Sequence, residues 1–164
     1  MDLSTNIYQS SFKPAFGLKN KHLQTLYPSF FKKQHKFDFE IEKFYLSDGD
    51  FLEAYWLKQL EVKTVVVLFH GLAGSYKSPY IQGMMDTLYH QGYSVVTMHF
   101  RGCADNKNNL PRAYHSGDTQ DAKEFLQHIK TTYKHSKIFT IGYSLGANML
   151  LKLLGELSGN DLVE

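Results

Sequence analysis

The stretch from residue 137 to residue 151, KIFTIGYSLGANMLL, joins an apolar β-like run to an apolar helix-like run through a turn centred on Ser144. Gly142 and Gly146 flank this serine in a G-x-S-x-G pattern. A strand, a sharp turn and a helix in this order are typical of a nucleophile elbow, in which small flanking residues relieve the crowding around a strained serine. The pattern therefore predicts that Ser144 is a nucleophile at the start of a helix, whose dipole favours developing negative charge.

Buried strands and helices alternate upstream of this turn. Thr64–Phe69, Tyr93–His99 and Lys137–Ile141 are apolar runs, typical of parallel strands covered on both faces. Apolar residues at helical spacing follow the first two strands, at Ile81, Met84, Met85 and Leu88 and at Ala122, Phe125, Leu126 and Ile129. Ala147–Leu157 is apolar almost all round, which predicts a helix that is buried on most sides. The alternation predicts an α/β fold with a mainly parallel sheet.

An antiparallel hairpin is expected at one edge of this sheet. Lys36–Leu46 and Phe51–Lys58 are β-like runs, and the Gly-centred tetrad Ser47-Asp48-Gly49-Asp50 separates them. The sequence before the hairpin predicts irregular structure. We therefore divide the chain into an irregular amino-terminal segment, residues 1–35, and a single α/β domain, residues 36–164.

The loop His70-Gly71-Leu72-Ala73-Gly74 follows the first parallel strand. An acyl-transfer site needs two backbone N–H groups directed at the developing oxyanion. One comes from the residue after the nucleophile, here Leu145, and the other comes from the loop after an early strand, where Leu72 is suitably placed. His70 and Gly71 are then expected to shape this loop.

The composition narrows the classes of function. A formal net charge of +2, with no block of like charge, gives no indication of binding to nucleic acid. The longest strongly apolar run, Val65–Phe69, is too short to span a bilayer, and the amino terminus lacks the pattern of a signal peptide. The single cysteine, Cys103, permits no intramolecular disulfide, which favours a reducing, cytoplasmic location. We assign no metal site.

Runs spread over most of the chain resemble the YheT-type hydrolases of bacteria, which are relatives of the eukaryotic abhydrolase-domain lipases and esterases. These runs are Asn20–Pro28, Asp48–Asp50, Phe69–Gly74 with Ser78–Tyr80, Met98–Cys103, Tyr114–Gly117 with Asp121, and Gly142–Asn148. The resemblance implies a single α/β-hydrolase domain, no cofactor, and hydrolysis of small-molecule carboxylic esters. Short-chain esters and acylglycerols are the expected substrates, so the substrate could be a lipid.

The sequence departs from this family in its catalytic triad. The family's triad runs in the order Ser, Asp, His, whereas every histidine of this chain precedes Ser144. We therefore expect the amino-terminal half of a hydrolase, a truncated α/β-hydrolase fold in which the later strands are missing. Lys137–Ile141 would then be an exposed apolar edge, which invites pairing with another chain. The isolated chain is expected to be marginally stable or to aggregate unless a complementing carboxy-terminal half completes the sheet.

Three hypotheses about function remain open at this point. The first is a serine esterase that acts through Ser144. The second is a catalytically inactive fragment or split-gene subunit, which needs a second chain for the Asp and His. The third is a phosphate- or nucleotide-binding α/β domain, which is disfavoured because the sequence has no G-x-G-x-x-G motif and no Walker lysine.

Several other side chains are candidates for secondary roles. His115 could substitute for the missing base, and the alternative is a histidine that stabilises its loop. His128 and His135 are predicted at the surface. Arg101 is expected to orient its loop by bonding backbone carbonyls, with anion binding as the alternative. Cys103 is predicted to be a small residue in a turn, and the alternative is a reactive thiol.

Overall fold

The computed structural model describes residues 10–31, 36–157 and 163. Two compact units make up the chain, Met1–Lys33 and Gln34–Glu164. The second unit contains all strands found in the described residues, and it also contains the Ser144 turn.

The first unit contains helix α1, Lys21–Phe31. The prediction of irregular structure was wrong for these residues. Asn20 begins the helix, because its Oδ1 accepts the N–H groups of His22 at 2.8 Å and Leu23 at 3.4 Å. Asn20 is a signal for a helix start, whereas the proline at position 28 of the sequence disfavours a helix interior, so the two local signals conflict.

A five-stranded mixed sheet in the order β1-β2-β4-β3-β5 forms the centre of the second unit. The strands are β1 (Glu40–Tyr45), β2 (Phe51–Leu57), β3 (Thr64–Phe69), β4 (Ser94–Met98) and β5 (Lys137–Gly142). β1 and β2 form the predicted antiparallel hairpin, with Tyr45 opposite Phe51. β2 is also antiparallel to β4, whereas β3 is parallel to both β4 and β5. The predicted α/β fold is confirmed, with the hairpin at one edge of the sheet.

Helices cover both faces of the sheet. They are α2 (Pro79–His90), α3 (Gln120–Thr132) and α4 (Leu145–Glu156). Val65 and Val67 of β3 pack in one cluster with α3 and α4, whereas Val66 and Leu68 pack in a second cluster with α2. This alternation is the two-residue period of a strand that is buried on both faces. Within the described residues, none of these helices combines the length and the apolarity needed to cross a bilayer.

β5 and α4 leave apolar side chains exposed at the other edge of the sheet. Among the described residues β5 pairs with β3 alone, and Phe139 of β5 is 41% exposed. The prediction that α4 is buried on most sides was wrong. Leu151 is 72% exposed and Leu154 is 41% exposed, while Met149 and Leu153 on the opposite side are buried. α4 therefore carries a second apolar surface that no described part of the chain covers.

A buried ion-pair cluster ties the hairpin turn to the loop after β4 and to α3. Arg101 is 3% exposed and donates to Asp121 from Nε at 2.6 Å and from a terminal nitrogen at 2.8 Å. Its terminal nitrogens also donate to Asp50 at 3.1 Å and Asp48 at 2.8 Å. Hydrogen bonding to Asp121 makes the largest contribution to raising the pKa of Arg101. The expected backbone carbonyl partners of Arg101 were therefore wrong, because carboxylates bind this side chain.

Candidate active site

Ser144 lies between β5 and α4 with φ at 51° and ψ at −114°. A residue with a side chain rarely adopts positive φ, and such a conformation costs about 1–3 kcal/mol. Hydrogen bonds on both sides fix the turn, because the Tyr143 N–H donates to the Phe69 carbonyl and the Gly146 N–H donates to the Tyr143 carbonyl, each at 2.9 Å. The exposed Ser144 side chain is therefore held at the carboxyl end of the parallel strands.

Neighbouring backbone atoms leave no room for a side chain at position 142 or position 146. A Cβ added to Gly146 would lie 2.5 Å from the carbonyl oxygen of His70, and one added to Gly142 would lie 2.6 Å from the Cα of Ala147. Real Cβ atoms do not approach backbone this closely. The two glycines therefore let the first turn of α4 pack directly against the ends of β3 and β5.

A cavity of about 410 Å³ opens beside Ser144. Its lining residues come from the loop after β3, from α2 and from the turn itself: Gly71, Leu72, Tyr80, Tyr143 and Ser144. A Cβ added to Gly71 would lie 3.4 Å from the Cβ of Ser144. The loop after β3 thus reaches the serine directly, and the predicted site residues Leu72 and Ser144 border one cavity.

Leu72 borders this cavity, and Leu145 directly follows Ser144 in the chain. Neither of these two backbone N–H groups has a hydrogen-bond acceptor within the described parts of the chain. Neighbouring N–H groups are occupied: Gly146 donates to Tyr143, and Gly74 donates to the Gly71 carbonyl at 3.0 Å. The unoccupied groups are available to a ligand that accepts hydrogen bonds.

His70 is buried at the carboxyl end of β3 and uses both ring nitrogens. Its Nε2 accepts the Phe100 N–H at 3.2 Å, so the ring proton is on Nδ1, which donates to the Gly71 carbonyl at 2.7 Å. Burial lowers the pKa of His70. The ring is therefore neutral, and neither nitrogen is available to take a proton from Ser144.

His99 has the same arrangement at the end of β4. Its Nε2 accepts the Tyr76 N–H at 2.9 Å, and its Nδ1 donates to the Glu53 carbonyl at 3.0 Å. Burial lowers the pKa of His99 to about 4. This second neutral histidine anchors the far part of the loop that begins at His70. Sequence reasoning did not predict that contact, because nothing in the local pattern links His99 to Tyr76.

The other histidines do not supply a base in the described structure. His115 is exposed, and its Nδ1 accepts the Gly117 N–H at 3.1 Å, as expected of a loop-stabilising side chain. His135 is exposed, as predicted. His128 is partly exposed, and its Nε2 lies 2.5 Å from a Glu42 oxygen while its ring packs 4.8 Å from that of Phe44. No histidine among the described residues hydrogen bonds to Ser144.

Three tyrosines at the site were absent from the predicted set. Tyr80 and Tyr143 line the cavity with their ring centroids 4.8 Å apart, and burial raises the pKa of Tyr143. Tyr114 accepts the Ala73 N–H at 2.8 Å. All three fall in the runs that resemble bacterial hydrolases, which is the sequence signal that could have identified them.

Known proteins match both the sequence and the fold. The family model described as alpha/beta hydrolase fold matches residues 64–163. The candidate esterase YheT of Escherichia coli K12 is 43% identical over 162 residues, which are 96% of this chain and 47% of YheT. The monoacylglycerol lipase ABHD2 of Danio rerio is 30% identical over 151 residues, 87% of this chain and 35% of that protein.

A solved structure supports the same match. The esterase Pf2001 of Pyrococcus furiosus superposes with a TM-score of 0.63 at 25% sequence identity, over 74% of this chain and 48% of that one. The chain thus spans about half or less of the length of these relatives.

Proposed function

The chain belongs to the alpha/beta hydrolase family, and on this premise we propose that it hydrolyses carboxylic esters with Ser144 as the nucleophile. The observation that carries the proposal is the strained Ser144, with φ at 51°, on a cavity that Leu72 also borders. Short-chain esters or acylglycerols are the proposed substrates. The cavity lining of Leu72, Tyr80 and Tyr143 suits an acyl chain, and the relatives include an enzyme named as a monoacylglycerol lipase.

In the proposed reaction the Ser144 Oγ attacks the carbonyl carbon of the ester while its proton passes to a general base. A carbon–oxygen bond forms, and the former carbonyl oxygen becomes an oxyanion that accepts the N–H groups of Leu72 and Leu145. Collapse of this intermediate breaks the bond to the alcohol, which leaves with the proton from the base. Water then attacks the acyl-serine, releases the carboxylic acid and restores the hydroxyl.

The general base is proposed to lie outside the described residues. His70 and His99 use both ring nitrogens in hydrogen bonds, and His115 bonds to its own loop. An unassisted serine is a poor nucleophile at neutral pH. We therefore propose that a carboxy-terminal half supplies the His and Asp, either in a second chain or in a longer form of this one. The greater length of the relatives supports this proposal.

Hydrolysis of p-nitrophenyl butyrate tests the proposal in a complementation assay. The chain is assayed alone and together with the part of YheT that lies beyond the matched region. We expect hydrolysis above the blank in the mixture, its loss in Ser144→Ala, and its retention in Ser116→Ala, which removes an exposed serine from another loop. Equal hydrolysis by the wild type and Ser144→Ala would remove Ser144 from the reaction.

A second candidate function is that of a non-catalytic subunit. The exposed edge of β5 and the exposed Leu151 on α4 favour it, since each is a feature that another polypeptide could cover. Size-exclusion chromatography with light scattering of the same mixture distinguishes the two functions. A one-to-one complex without Ser144-dependent hydrolysis would support the subunit, and a hydrolytic complex would support the esterase.

A further inference from the structure

The loop of residues 71–78 after β3 satisfies its backbone N–H groups almost completely. Seven of the eight donate to an acceptor within the protein, and Leu72 is the exception in this fully described loop. The acceptors are Tyr80 Oη for Gly71, Tyr114 Oη for Ala73, the Gly71 carbonyl for Gly74, Ser78 Oγ for Ser75, His99 Nε2 for Tyr76, Ser75 Oγ for Lys77, and the Ser75 carbonyl for Ser78. Tyrosine hydroxyls therefore accept hydrogen bonds from the N–H groups of the residues immediately before and after Leu72.

Tyr80 reaches the loop from the first turn of α2. Its hydroxyl accepts the Gly71 N–H at 3.0 Å. The same oxygen lies 3.4 Å from a Cβ added to Gly71 and 2.7 Å from one added to Gly74. The hydroxyl thus occupies the space that a side chain at position 74 would need, and it lies at contact distance from position 71.

Tyr114 reaches the loop from a later segment of the chain, after β4. Its ring stacks on Phe100 with centroids 4.9 Å apart and planes 9° apart, which holds the hydroxyl in place. That hydroxyl accepts the N–H of Ala73, a residue with φ at 51°. The contact helps to hold Ala73 in a conformation that a residue with a side chain rarely adopts.

The direction of the Leu72 N–H follows from the peptide that carries it. The Gly71 carbonyl accepts hydrogen bonds from His70 Nδ1 at 2.7 Å and from the Gly74 N–H at 3.0 Å. In a planar trans peptide the N–H points opposite to the carbonyl. The Leu72 N–H therefore points away from the His70 ring and away from the interior of the loop.

We propose that the hydroxyls of Tyr80 and Tyr114 are positioning groups that fix Leu72 N–H as the one free donor of this loop. The inference rests on the proposed function, in which Leu72 N–H stabilises the oxyanion. The two hydroxyls fix the peptides before and after the Gly71–Leu72 peptide, which carries the donor, so that the donor is oriented before the substrate arrives. Such preorganisation is what makes an oxyanion site effective, since no reorientation is needed as charge develops.

Amide hydrogen exchange by NMR tests the arrangement without any need for activity. In the wild type we expect Gly71 and Ala73 to be at least about tenfold more protected than Leu72. Tyr80→Phe should reduce protection at Gly71, and Tyr114→Phe should reduce it at Ala73, while each ring stays in place. Tyr89→Phe is the matched control, because Tyr89 lies on α2 outside the cavity lining. Equal protection at all three amides in the wild type would overturn the inference.

The kinetics of labelling by a fluorophosphonate, measured with the complementing part of YheT present, test the consequence for Ser144. Loss of an oxyanion donor costs about 10²–10³ in rate. Loss of its orientation in Tyr80→Phe or Tyr114→Phe should therefore slow the bond-forming step about tenfold, with unchanged reversible binding of the probe. A merely structural role would change binding as well. Wild-type rates in both variants, with labelling still dependent on Ser144, would refute the tyrosine roles and leave the proposed function standing. Labelling that is independent of Ser144 would refute the proposed function instead.

Discussion

Replacing Arg101 with methionine removes the cation from a buried cluster of carboxylates while keeping most of the side chain's volume. The Arg101 side chain is 1% exposed, and the carboxylates of Asp50 and Asp121 around it are 0% and 6% exposed. Asp50 keeps other donors, because it also accepts the N–H groups of Phe51 and Asn109. Both carboxylate oxygens of Asp121 accept hydrogen bonds from Arg101, at 2.6 Å and 2.8 Å. Asp121 is therefore the carboxylate that the variant leaves with the fewest hydrogen bonds.

Breaking one partner of a buried ion pair costs about 3–5 kcal/mol. Because Asp50 keeps its hydrogen bonds from backbone N–H groups, we expect the free energy of unfolding to fall by an amount near the lower end of this range, about 3 kcal/mol. With a urea dependence of about 2 kcal/mol per molar, this loss lowers the midpoint by about 1.5 M. Adding Asp121→Asn to Arg101→Met removes the uncompensated charge and should restore about 1 kcal/mol or more.

Urea unfolding followed by circular dichroism measures these changes, with Arg112→Met as the control. Arg112 also pairs with Asp48 at 3.2 Å, with Asp118 at 2.7 Å and with Asp121 at 3.5 Å, but its own side chain is 38% exposed. Because water screens this cation, its removal should cost less than about 1 kcal/mol. The reasoning is refuted if Arg101→Met unfolds within about 1 kcal/mol of the wild type, or if the double variant is less stable than the single one.

Three further predictions concern stability. The pKa of His99, about 4 when folded, lies below the ordinary value of about 6.5, so stability is fully present above pH 6.5 and is lost as the pH falls toward 4. Urea unfolding should show a loss of about 2 kcal/mol between pH 7 and pH 5, and a flat profile would contradict this. Gly146→Ala should cost about 3 kcal/mol or more by its backbone clash, whereas Gly155→Ala, with open space around it, should not destabilise. Ser144→Gly should raise the melting temperature relative to Ser144→Ala, because it relieves about 1 kcal/mol of strain; equal melting temperatures would refute this.

Local patterns predicted those parts of the fold that depend on neighbouring residues in the sequence. Thr64–Phe69 was predicted to the residue, because a run of apolar β-branched side chains between polar segments fits a buried parallel strand. The helix after Ser144 was also expected, but its start is two residues earlier, at Leu145. The glycine-flanked serine is a local pattern too, and this is why the position of the candidate nucleophile could be inferred.

Contacts between distant segments could not be predicted from the same patterns. Arg101 meets Asp50, which is 51 positions away in the sequence, and nothing in either local pattern links the two residues. Tyr114 contacts Ala73 from 41 positions away. For α4 the local pattern gave a wrong prediction. Apolar residues all round a helix predict burial, but Leu151 is exposed on a surface that no described segment covers.

The measurement that tests the central claim most directly is the mapping of a fluorophosphonate adduct by tandem mass spectrometry. The claim is that Ser144, on the turn between β5 and α4, is the nucleophile. With the complementing part of YheT present, we predict an adduct on Ser144 in the wild type, its loss in Ser144→Ala, and its retention in Ser116→Ala. An adduct on another residue, or equal labelling of the wild type and Ser144→Ala, would contradict it.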